Sequence, residues 1–367
     1  MCEKHKLGEI CDILNGRNQK KVEDINGKYP IYGSGGIMGY ANDYICKAGT
    51  TIIGRKGSIN KPLYVDTEFW NVDTAFGLQP KECCHSRFLY YLCKSIDFTR
   101  YDKGVTIPSL VKSDLMQIPV SIPLLEEQSR IVEELDLLSN IIEKKRQQLS
   151  ELDNLAQSIF YDMFGDPVTN EKGWEVYTLK SITSKIGSGA TPKGGNESYK
   201  DEGISLIRSL NVYNNSFKYK DLAHIDNEQA EALNNVAIEC GDVLLNITGA
   251  SVARCCIVPI DVLPARVNQH VSIIRGKNII NNNFLNYLLT SHAYQSLLIM
   301  LSKSNGATRE ALTKGQLEAL KIILPPLSLQ QLFAQKIEAI EKQKELIKQS
   351  IAETEELFNS RMDYYFS

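Results

Sequence analysis

The chain is 367 residues long, with 43% hydrophobic residues, 23% charged residues and a formal net charge of −3. This composition is typical of globular proteins, and the length leaves room for two or three domains. No apolar run approaches the roughly eighteen residues of a membrane span and no signal peptide is recognisable, so we predict a cytoplasmic protein. The nine cysteines show no CxxC spacing, which argues against a zinc site.

The charge is unevenly distributed along the chain. Residues 1–125 hold 16 Lys and Arg against 13 Asp and Glu, and residues 167–325 hold 16 against 14. Residues 126–166 hold 4 against 10, and residues 326–367 hold 5 against 7. Two slightly basic segments therefore alternate with two acidic ones, which is compatible with basic faces on the first kind of segment.

One passage occurs twice. GVTIPSLVKSDLMQIPVSIPLLEEQSRIV, which begins at Gly104, is similar to GATREALTKGQLEALKIILPPLSLQQLFA, which begins at Gly306, at an offset of 306 − 104 = 202 residues. Each copy predicts a loop, a short strand bounded by proline and a long helix. Upstream, AGTTIIGRKGS from Ala48 matches CGDVLLNITGAS from Cys240 more loosely. We predict a tandem duplication of a globular unit followed by a helix.

The two helical segments carry a heptad repeat. Seam residues recur at alternating steps of four and three, and one lysine, Lys145 or Lys344, interrupts each seam as a register-setting residue would. The first seam comprises Ile131, Leu135, Leu138, Ile142, Lys145, Leu149, Leu152, Ala156, Ile159 and Met163. The second comprises Phe333, Ile337, Ile340, Lys344, Ile347, Ile351, Thr354, Phe358, Arg361 and Tyr365. Two unrelated helices, each packed only on its own domain, are the alternative.

Chain connectivity predicts that the helices are antiparallel. Parallel helices would require the second globular unit to span about 58 Å, the helix length at 1.5 Å per residue. The predicted fold is therefore mixed α/β (α+β), with two globular domains joined by two long antiparallel coiled-coil helices and related by a pseudo-twofold axis. The predicted divisions are residues 1–125, 126–165, 166–325 and 326–367. Duplex DNA has twofold axes of the same kind, so such a protein could lay each domain on one part of a split site.

Several segments carry a family resemblance. The tandem layout, IPLLEEQ from Ile122, LPPLSLQQ from Leu324, YPIYGSGGIMGYANDY, IIGRKGS, GSGATPK and VNQHV resemble the specificity subunit of type I restriction-modification systems. The resemblance implies that each domain is a target recognition domain that reads half of a bipartite, asymmetric site in double-stranded DNA. It also implies that the helices dock two methyltransferase subunits, which restriction subunits join. S-adenosylmethionine, ATP and Mg²⁺ would then serve only the partner subunits.

Motifs for chemistry within this chain are missing from the sequence. Neither GSGGIMG nor GRKGS ends as a phosphate-binding loop does, and no HExxH or GxSxG is present. We therefore predict no catalytic residue, no metal ligand and no cofactor in this subunit. Two other readings stay open: a structural coiled-coil adaptor whose domains bind protein, and an enzyme whose active site is unrecognised.

Candidate DNA contacts are polar and basic residues of glycine-rich loops, where the backbone can approach phosphates and short side chains can reach base edges. In the first domain they are Arg17, Lys20, Lys21, Ser34, Arg55, Lys56, Ser58, Lys61, Lys103 and Thr106. In the second they are Thr191, Lys193, Arg208, Asn211, Asn246, Thr248, Asn268, Gln269 and Arg309. Because the loops at 20–44 and 193–235 differ in sequence, we expect the two half-sites to differ.

Overall fold

The computed structural model describes residues 3–192, 194–303 and 310–367, and the chain divides into two compact units. Unit 1 comprises residues 1–147 and 348–367, and unit 2 comprises residues 148–347. Each unit thus contains one globular domain and one part of each long helix. Among the described residues, no helix combines the length and the apolar character that crossing a membrane requires.

Unit 1 contains a four-stranded and a three-stranded sheet. Its strands are β1 (Glu3–Lys6), β2 (Cys11–Asn15), β3 (Tyr29–Gly33), β4 (Gly36–Ala41), β5 (Thr50–Gly54), β6 (Leu63–Val65), β7 (Trp70–Asn71), β8 (Ala75–Pro80) and β9 (Pro119–Ile122). Its helices are α1 (Leu7–Ile10), α2 (Ser86–Ser95), α3 (Lys112–Met116) and the first part of α4 (Leu125–Phe164). The sheet orders are β2-β8-β5-β6, which is antiparallel, and β4-β3-β7, in which β3 and β7 are parallel. Strand β1 pairs with β9.

Unit 2 repeats the sheet topology of unit 1 and contains an additional two-stranded hairpin. Its strands are β10 (Val176–Thr178), β11 (Thr183–Ser188), β12 (Ile204–Ile207), β13 (Val212–Tyr213), β14 (Ser216–Phe217), β15 (Ala223–Ile225), β16 (Val243–Asn246), β17 (Cys255–Ile257), β18 (Ala265–Val267), β19 (Val271–Gly276) and β20 (Lys321–Ile323). Its helices are α5 (Leu179–Ile182), α6 (Asn227–Ala232), α7 (Asn282–Thr290), α8 (His292–Lys303), α9 (Lys314–Ala319) and the first part of α10 (Leu327–Phe366). The orders are β11-β19-β16-β17 and β15-β12-β18, β12 and β18 are parallel, and β10 pairs with β20. The predicted duplication is confirmed.

One of the two inner strands of each four-stranded sheet positions the candidate site. Strand β5, with the sequence TTIIG, lies between β8 and β6 and is buried along its whole length. Strand β16, with the sequence VLLN, lies between β19 and β17 and is likewise buried. Aliphatic and β-branched residues fill such positions because the strand is covered on both faces. Each buried strand is therefore a rigid support that fixes the position of the loop after it.

In unit 1, α4 and α10 pair in antiparallel fashion. Arg361 Nη2 donates to Glu134 Oε2 at 3.0 Å, and further along α4 Lys145 Nζ donates to Thr354 Oγ1 at 3.0 Å. Residues closer to the C-terminus of α4 therefore contact residues closer to the N-terminus of α10. Phe358 and Met362 belong to the same buried cluster as Ile131. This cluster continues into the first domain, so the helices and the domain share one core.

In unit 2, the remaining parts of the two helices also run in opposite directions. Lys344 Nζ lies 2.7 Å from Asp153 Oδ1, and the rings of Phe160 and Phe333 lie 5.7 Å apart between centroids. Helix α4 ends at Phe164, where Gly165 takes a positive φ of 75° that favours glycine. All twenty predicted seam positions are buried or half-buried. The predicted fold class, with long antiparallel helices, is confirmed.

Candidate nucleic-acid interface

In the first domain, two loops form one continuous surface at the end of β5. Residues 55–61 follow this strand, and residues 102–110 lie alongside them. The Gly57 N–H donates to the Pro108 carbonyl and the Leu110 N–H donates to the Arg55 carbonyl, both at 2.9 Å, and an isolated β-bridge joins Lys56 to Ser109. We call this arrangement the first loop pair.

The second domain contains the same arrangement at the end of β16. The Gly249 N–H donates to the Glu310 carbonyl at 2.9 Å, the Leu312 N–H donates to the Ile247 carbonyl at 2.8 Å, and a β-bridge joins Thr248 to Ala311. We call this arrangement, in the described residues 247–251 and 310–312, the second loop pair. Gly57 and Gly249 occupy equivalent positions with φ of 78° and 70°. The duplication therefore extends to the backbone of the loops, while their side chains differ.

Asp102 organises the first loop pair from within. Its Oδ1 accepts hydrogen bonds from the Gly104 and Ser109 N–H groups, each at 2.7 Å. These two bonds, Ser109 first, hold the pKa of Asp102 below its ordinary value. The adjacent Lys103 is exposed and lies 3.6 Å from Asp114. A fixed carboxylate thus shapes the loop, and the cations around it remain at the surface.

Most predicted contacts of the first domain come together in this region. Six of them, all exposed, belong to the first loop pair: Arg55, Lys56, Ser58, Lys61, Lys103 and Thr106. Arg17 adjoins them, because its N–H donates to the Asn71 carbonyl while the Arg55 N–H donates to the carbonyl of Thr74 in the same turn. Lys20, Lys21 and Ser34 lie elsewhere, at the three-stranded sheet. The two lysines precede Val22, whose carbonyl accepts from the Asn42 N–H directly after β4, and Ser34 is in the β3–β4 turn.

In the second domain, three predicted asparagines are buried rather than available at the surface. Asn211 is 0% exposed, and its Nδ2 donates to the Lys218 carbonyl at 2.9 Å. Asn246, also 0% exposed, donates to the Ser209 carbonyl at 2.9 Å. Asn268 is 4% exposed and accepts from the His270 N–H. Their amides shape loops, so this arrangement does not support the prediction that they touch DNA.

The other predicted residues of the second domain divide into three groups. Thr248, Gln269 and Thr191 join one side-chain network with His270. Arg208 lies over the Tyr199 ring at 5.1 Å and donates to the Asp221 carbonyl, so it is partly engaged in local structure. Lys193 and Arg309 lie outside the described residues.

Two residues that were not among the predicted contacts line an open cavity beside the second loop pair. Arg254 and His270 border this cavity of about 570 Å³ with Thr248, Tyr213 and the serines 209 and 251. His270 directly follows the predicted Asn268 and Gln269, which was an available signal. Arg254 directly precedes β17, and the pairing of β17 with β16 places it next to the loop that follows β16.

Comparison with known proteins identifies the family. The family profile described as "Type I restriction modification DNA specificity domain" matches residues 2–154 and 171–356. The chain belongs to this family. The resemblance seen in the sequence is confirmed, and the specificity-domain profile occurs twice, once on each copy of the duplication.

Curated relatives match parts of the chain. The type I restriction enzyme MjaIX specificity subunit of Methanocaldococcus jannaschii is 25% identical over 310 residues, which cover 77% of this chain and 67% of that protein. The Haemophilus influenzae protein S.HindORF215P is 30% identical over 139 residues, which cover 36% of each chain. The EcoDI specificity subunit of Escherichia coli is 24% identical over 41% of this chain and 34% of its own. These matches therefore span one third to two thirds of the relatives' own lengths.

Solved structures show the same fold over the full chain. The S subunit of a type I restriction-modification system from M. genitalium superposes with a TM-score of 0.64 at 15% identity, covering 100% of this chain and 96% of the other. A chain from a structural study of complex assembly in the type I system has a TM-score of 0.58 at 18% identity, covering 99% and 96%. At these identities the likeness concerns the fold.

Proposed function

We propose that this chain is the DNA-reading specificity subunit of a type I restriction-modification complex. Each domain, at residues 1–125 and 166–325, reads one half of a bipartite, asymmetric site in duplex DNA. The long helices, at residues 126–165 and 326–367, set the unread gap and dock two methyltransferase subunits, which restriction subunits join. Because its proposed ligand is DNA, the proposed location of the complex is the cytoplasm.

The duplicated loop pair is the observation that carries this proposal. The same backbone hydrogen bonds hold the two loops together at the end of the same inner strand in both domains. The side chains on that backbone differ: Arg55 and Lys56 in the first domain correspond to Ile247 and Thr248 in the second. Loops that share a rigid support and vary in sequence are suited to recognising different ligands in the same orientation. Two unlike half-sites follow directly.

The proposed contact set is the accessible part of the prediction. In the first domain it consists of Arg17, Arg55, Lys56, Ser58, Lys61, Lys103 and Thr106, with Lys20, Lys21 and Ser34 as outlying contacts. In the second domain it consists of Thr191, Arg208, Thr248 and Gln269. Arginine pairs best with guanine or with phosphate, while lysine more often holds phosphate. Lys193 and Arg309 stay predictions.

The chemistry of the complex is assigned to the partners. Among the described residues, no group of three or more His, Cys, Asp or Glu side chains is arranged to hold a metal ion. We propose that the methyltransferase subunits supply S-adenosylmethionine-dependent methylation and that the restriction subunits use ATP and Mg²⁺. This chain then contributes recognition and no catalytic group.

The decisive experiment is single-molecule sequencing of modified bases in the genomic DNA of the host. We expect a methylated motif made of two short blocks with a fixed gap, lost when this gene is deleted and restored when the intact gene is returned. A motif that persists after deletion would contradict the proposal. A soluble complex with active methyltransferase subunits but no motif, and no salt-dependent DNA binding, would favour the adaptor reading.

A further inference from the structure

The open cavity beside the second loop pair includes Thr248 of the proposed contact set, but its other lining residues have no role in the function described so far. Among the described residues, its polar lining combines the cation Arg254 with His270, the hydroxyls of Ser209, Thr248 and Ser251, and the carboxylate of Glu310. We propose that this cavity binds a phosphodiester group of the DNA backbone, with Arg254 as the principal cation. The inference rests on the proposed function, because it assumes that the second domain faces duplex DNA.

Arg254 is prepared to bind an anion with two acceptor oxygens. Its guanidinium carbon lies 4.5 Å from the centroid of the Tyr213 ring, so the ring supports one position of the planar group. Stacking engages the face of a guanidinium and leaves its N–H edges available for a bidentate contact. No ion pair of Arg254 occurs within residues 3–192, 194–303 and 310–367, whereas Glu310 at the rim lies 3.5 Å from Lys303.

A chain of hydrogen bonds orients the Thr248 hydroxyl. Thr191 Oγ1 donates to Gln269 Oε1, and Gln269 Nε2 donates to His270 Nε2 at 3.1 Å. With Nε2 accepting, the ring proton lies on Nδ1 and is donated to Thr248 Oγ1 at 2.6 Å. The Thr248 hydroxyl therefore keeps its own hydrogen for an acceptor in the cavity. A phosphate oxygen is such an acceptor.

The shape of the site favours the DNA backbone over a base edge. Base edges lie recessed in the grooves and are reached by protruding side chains, whereas the phosphodiester chain forms the ridge that a concave surface can receive. Gly249 borders the cavity, and a Cβ at this position would meet no atom of the described residues within 4 Å. The missing side chain therefore keeps this side of the cavity open.

Comparison of the two domains explains why the cation comes from Arg254. The first loop pair carries two cations directly after β5, Arg55 and Lys56, in addition to Lys61 and Lys103. The equivalent positions of the second loop pair are Ile247 and Thr248, which are uncharged. Arg254 directly precedes the neighbouring strand β17 and supplies a cation at the same end of the sheet. The first domain has a cation at the matching place, because Lys61 lies two residues before Leu63, the β6 partner of Ile52, just as Arg254 lies two residues before Cys256, the β17 partner of Leu244.

The test compares Arg254→Ala with Lys218→Ala in the full-length chain assembled with its methyltransferase partner. Both variants remove one cation that lies over the Tyr213 ring, but only Arg254 lines the cavity. Binding is measured against salt concentration on a duplex that contains the methylated motif. We expect Arg254→Ala to weaken binding about tenfold and to lower the slope of log K against log salt by about one. Lys218→Ala should change neither value.

Two further arms make the result specific to phosphate. Arg254→Lys keeps the charge, so it should retain the salt slope while losing part of the affinity. Single neutral methylphosphonates, placed along the second half-site, should weaken the wild-type complex at one position and leave Arg254→Ala unaffected there. That position is the proposed phosphate.

Several outcomes would overturn the inference. Equal losses of DNA affinity in Arg254→Ala and Lys218→Ala would show that the effect comes from the overall positive charge of the domain and not from a contact in the cavity. A methylated motif relaxed at one base in the Arg254→Ala strain would make Arg254 a base reader. If the wild type binds DNA and Arg254→Ala binds equally well, the cavity is not a phosphate site, while the proposed function stands. Failure of the wild-type complex to bind its duplex would instead refute the proposed function.

Discussion

Gln128 and Gln330 each tie the start of a long helix to the domain before it. Gln128 is 0% exposed; its Oε1 accepts from the His85 N–H at 2.7 Å, and its Nε2 donates to the carbonyls of Cys83 and Pro123. Gln330, also 0% exposed, accepts from the Asn281 N–H at 2.8 Å and donates to the Pro325 carbonyl at 2.8 Å. The glutamine that recurs in both copies of the sequence is therefore a buried residue that holds the start of each long helix to its domain; we call this contact the clamp.

Replacing either glutamine should destabilise the fold. Gln128→Ala and Gln330→Ala each leave buried backbone groups without partners, so we expect the free energy of unfolding to fall by about 2 to 4 kcal/mol. Urea unfolding of the full-length chain in its complex measures this. Ser129→Ala serves as the control, since the Ser129 hydroxyl donates to the Leu125 carbonyl one turn earlier in the same helix. Equal stability of Gln128→Ala and Ser129→Ala would contradict the role of the clamp.

At the same scale, the sequence predicted residue types better than residue exposure. Basic loop residues such as Arg55 and Lys56 were recognisable, because charged side chains next to a turn glycine rarely become buried. Asn211 and Asn246 were chosen for the same polarity, but an asparagine amide can satisfy loop carbonyls and become buried, and composition does not show which of these occurs. The sequence did not indicate Arg254, because its position next to the loop depends on the pairing of β17 with β16.

The long helices show how a polar residue fits a largely apolar seam. Lys344 is 7% exposed, and its Nζ lies 2.7 Å from Asp153 and 2.8 Å from Glu341. Lys145 Nζ instead donates to the Ser350 and Thr354 hydroxyls, at 2.6 and 3.0 Å. Each lysine finds its partners in one particular alignment of the two helices, which is how a polar seam residue specifies register.

The ion pairs of Lys344 should make helix pairing sensitive to alkaline pH. Burial opposes the charged form, but the bonds to Asp153 and Glu341 outweigh it and raise the pKa of Lys344 above its ordinary value of 10.5. A raised pKa in the folded state means that this stabilisation is complete below pH 10.5 and is lost as the pH rises through the folded value. The unfolding free energy of the wild type relative to Lys344→Met should therefore decline, by about 0.5 to 1 kcal/mol, between about pH 9.5 and 11.5.

The matched control for this measurement is Lys342→Met, an exposed lysine on the same helix. The same difference is measured for this variant, and the decline should be larger for Lys344→Met, because Lys344 carries the ion pairs to Asp153 and Glu341. Equal curves for the two variants would show that the ion pairs contribute nothing to helix pairing.

Also at the scale of elements, periodicity predicted the helices because a heptad seam extends over some forty residues and is read directly from spacing. The inner strand β5 was visible as TTII. The order of strands was not, because β3 pairs in parallel with β7, some forty residues further along, and nothing local specifies such a partner. The repeat in the sequence predicts that the two domains share one topology. It does not predict the order of the strands in that topology.

At the scale of the whole molecule, the proposed function makes the paired helices a ruler for the unread gap. One heptad added after Gln147 and another after Ile347, where the chain passes between the two compact units, preserves both seams. The addition lengthens each helix by about 10 Å at 1.5 Å per residue. At 3.4 Å per base pair, the gap in the methylated motif should widen by about three base pairs, with both blocks unchanged.

Single-molecule sequencing of modified bases in a strain carrying the lengthened gene measures this gap directly. The control is a heptad added to one helix only, which leaves the partner helix too short, so the seam residues beyond the insertion lose their partners. We expect that strain to lose the motif. A gap that keeps its original length in the doubly lengthened protein would show that the helices do not set the spacing. The distance between the half-sites would then have to come from the domains themselves.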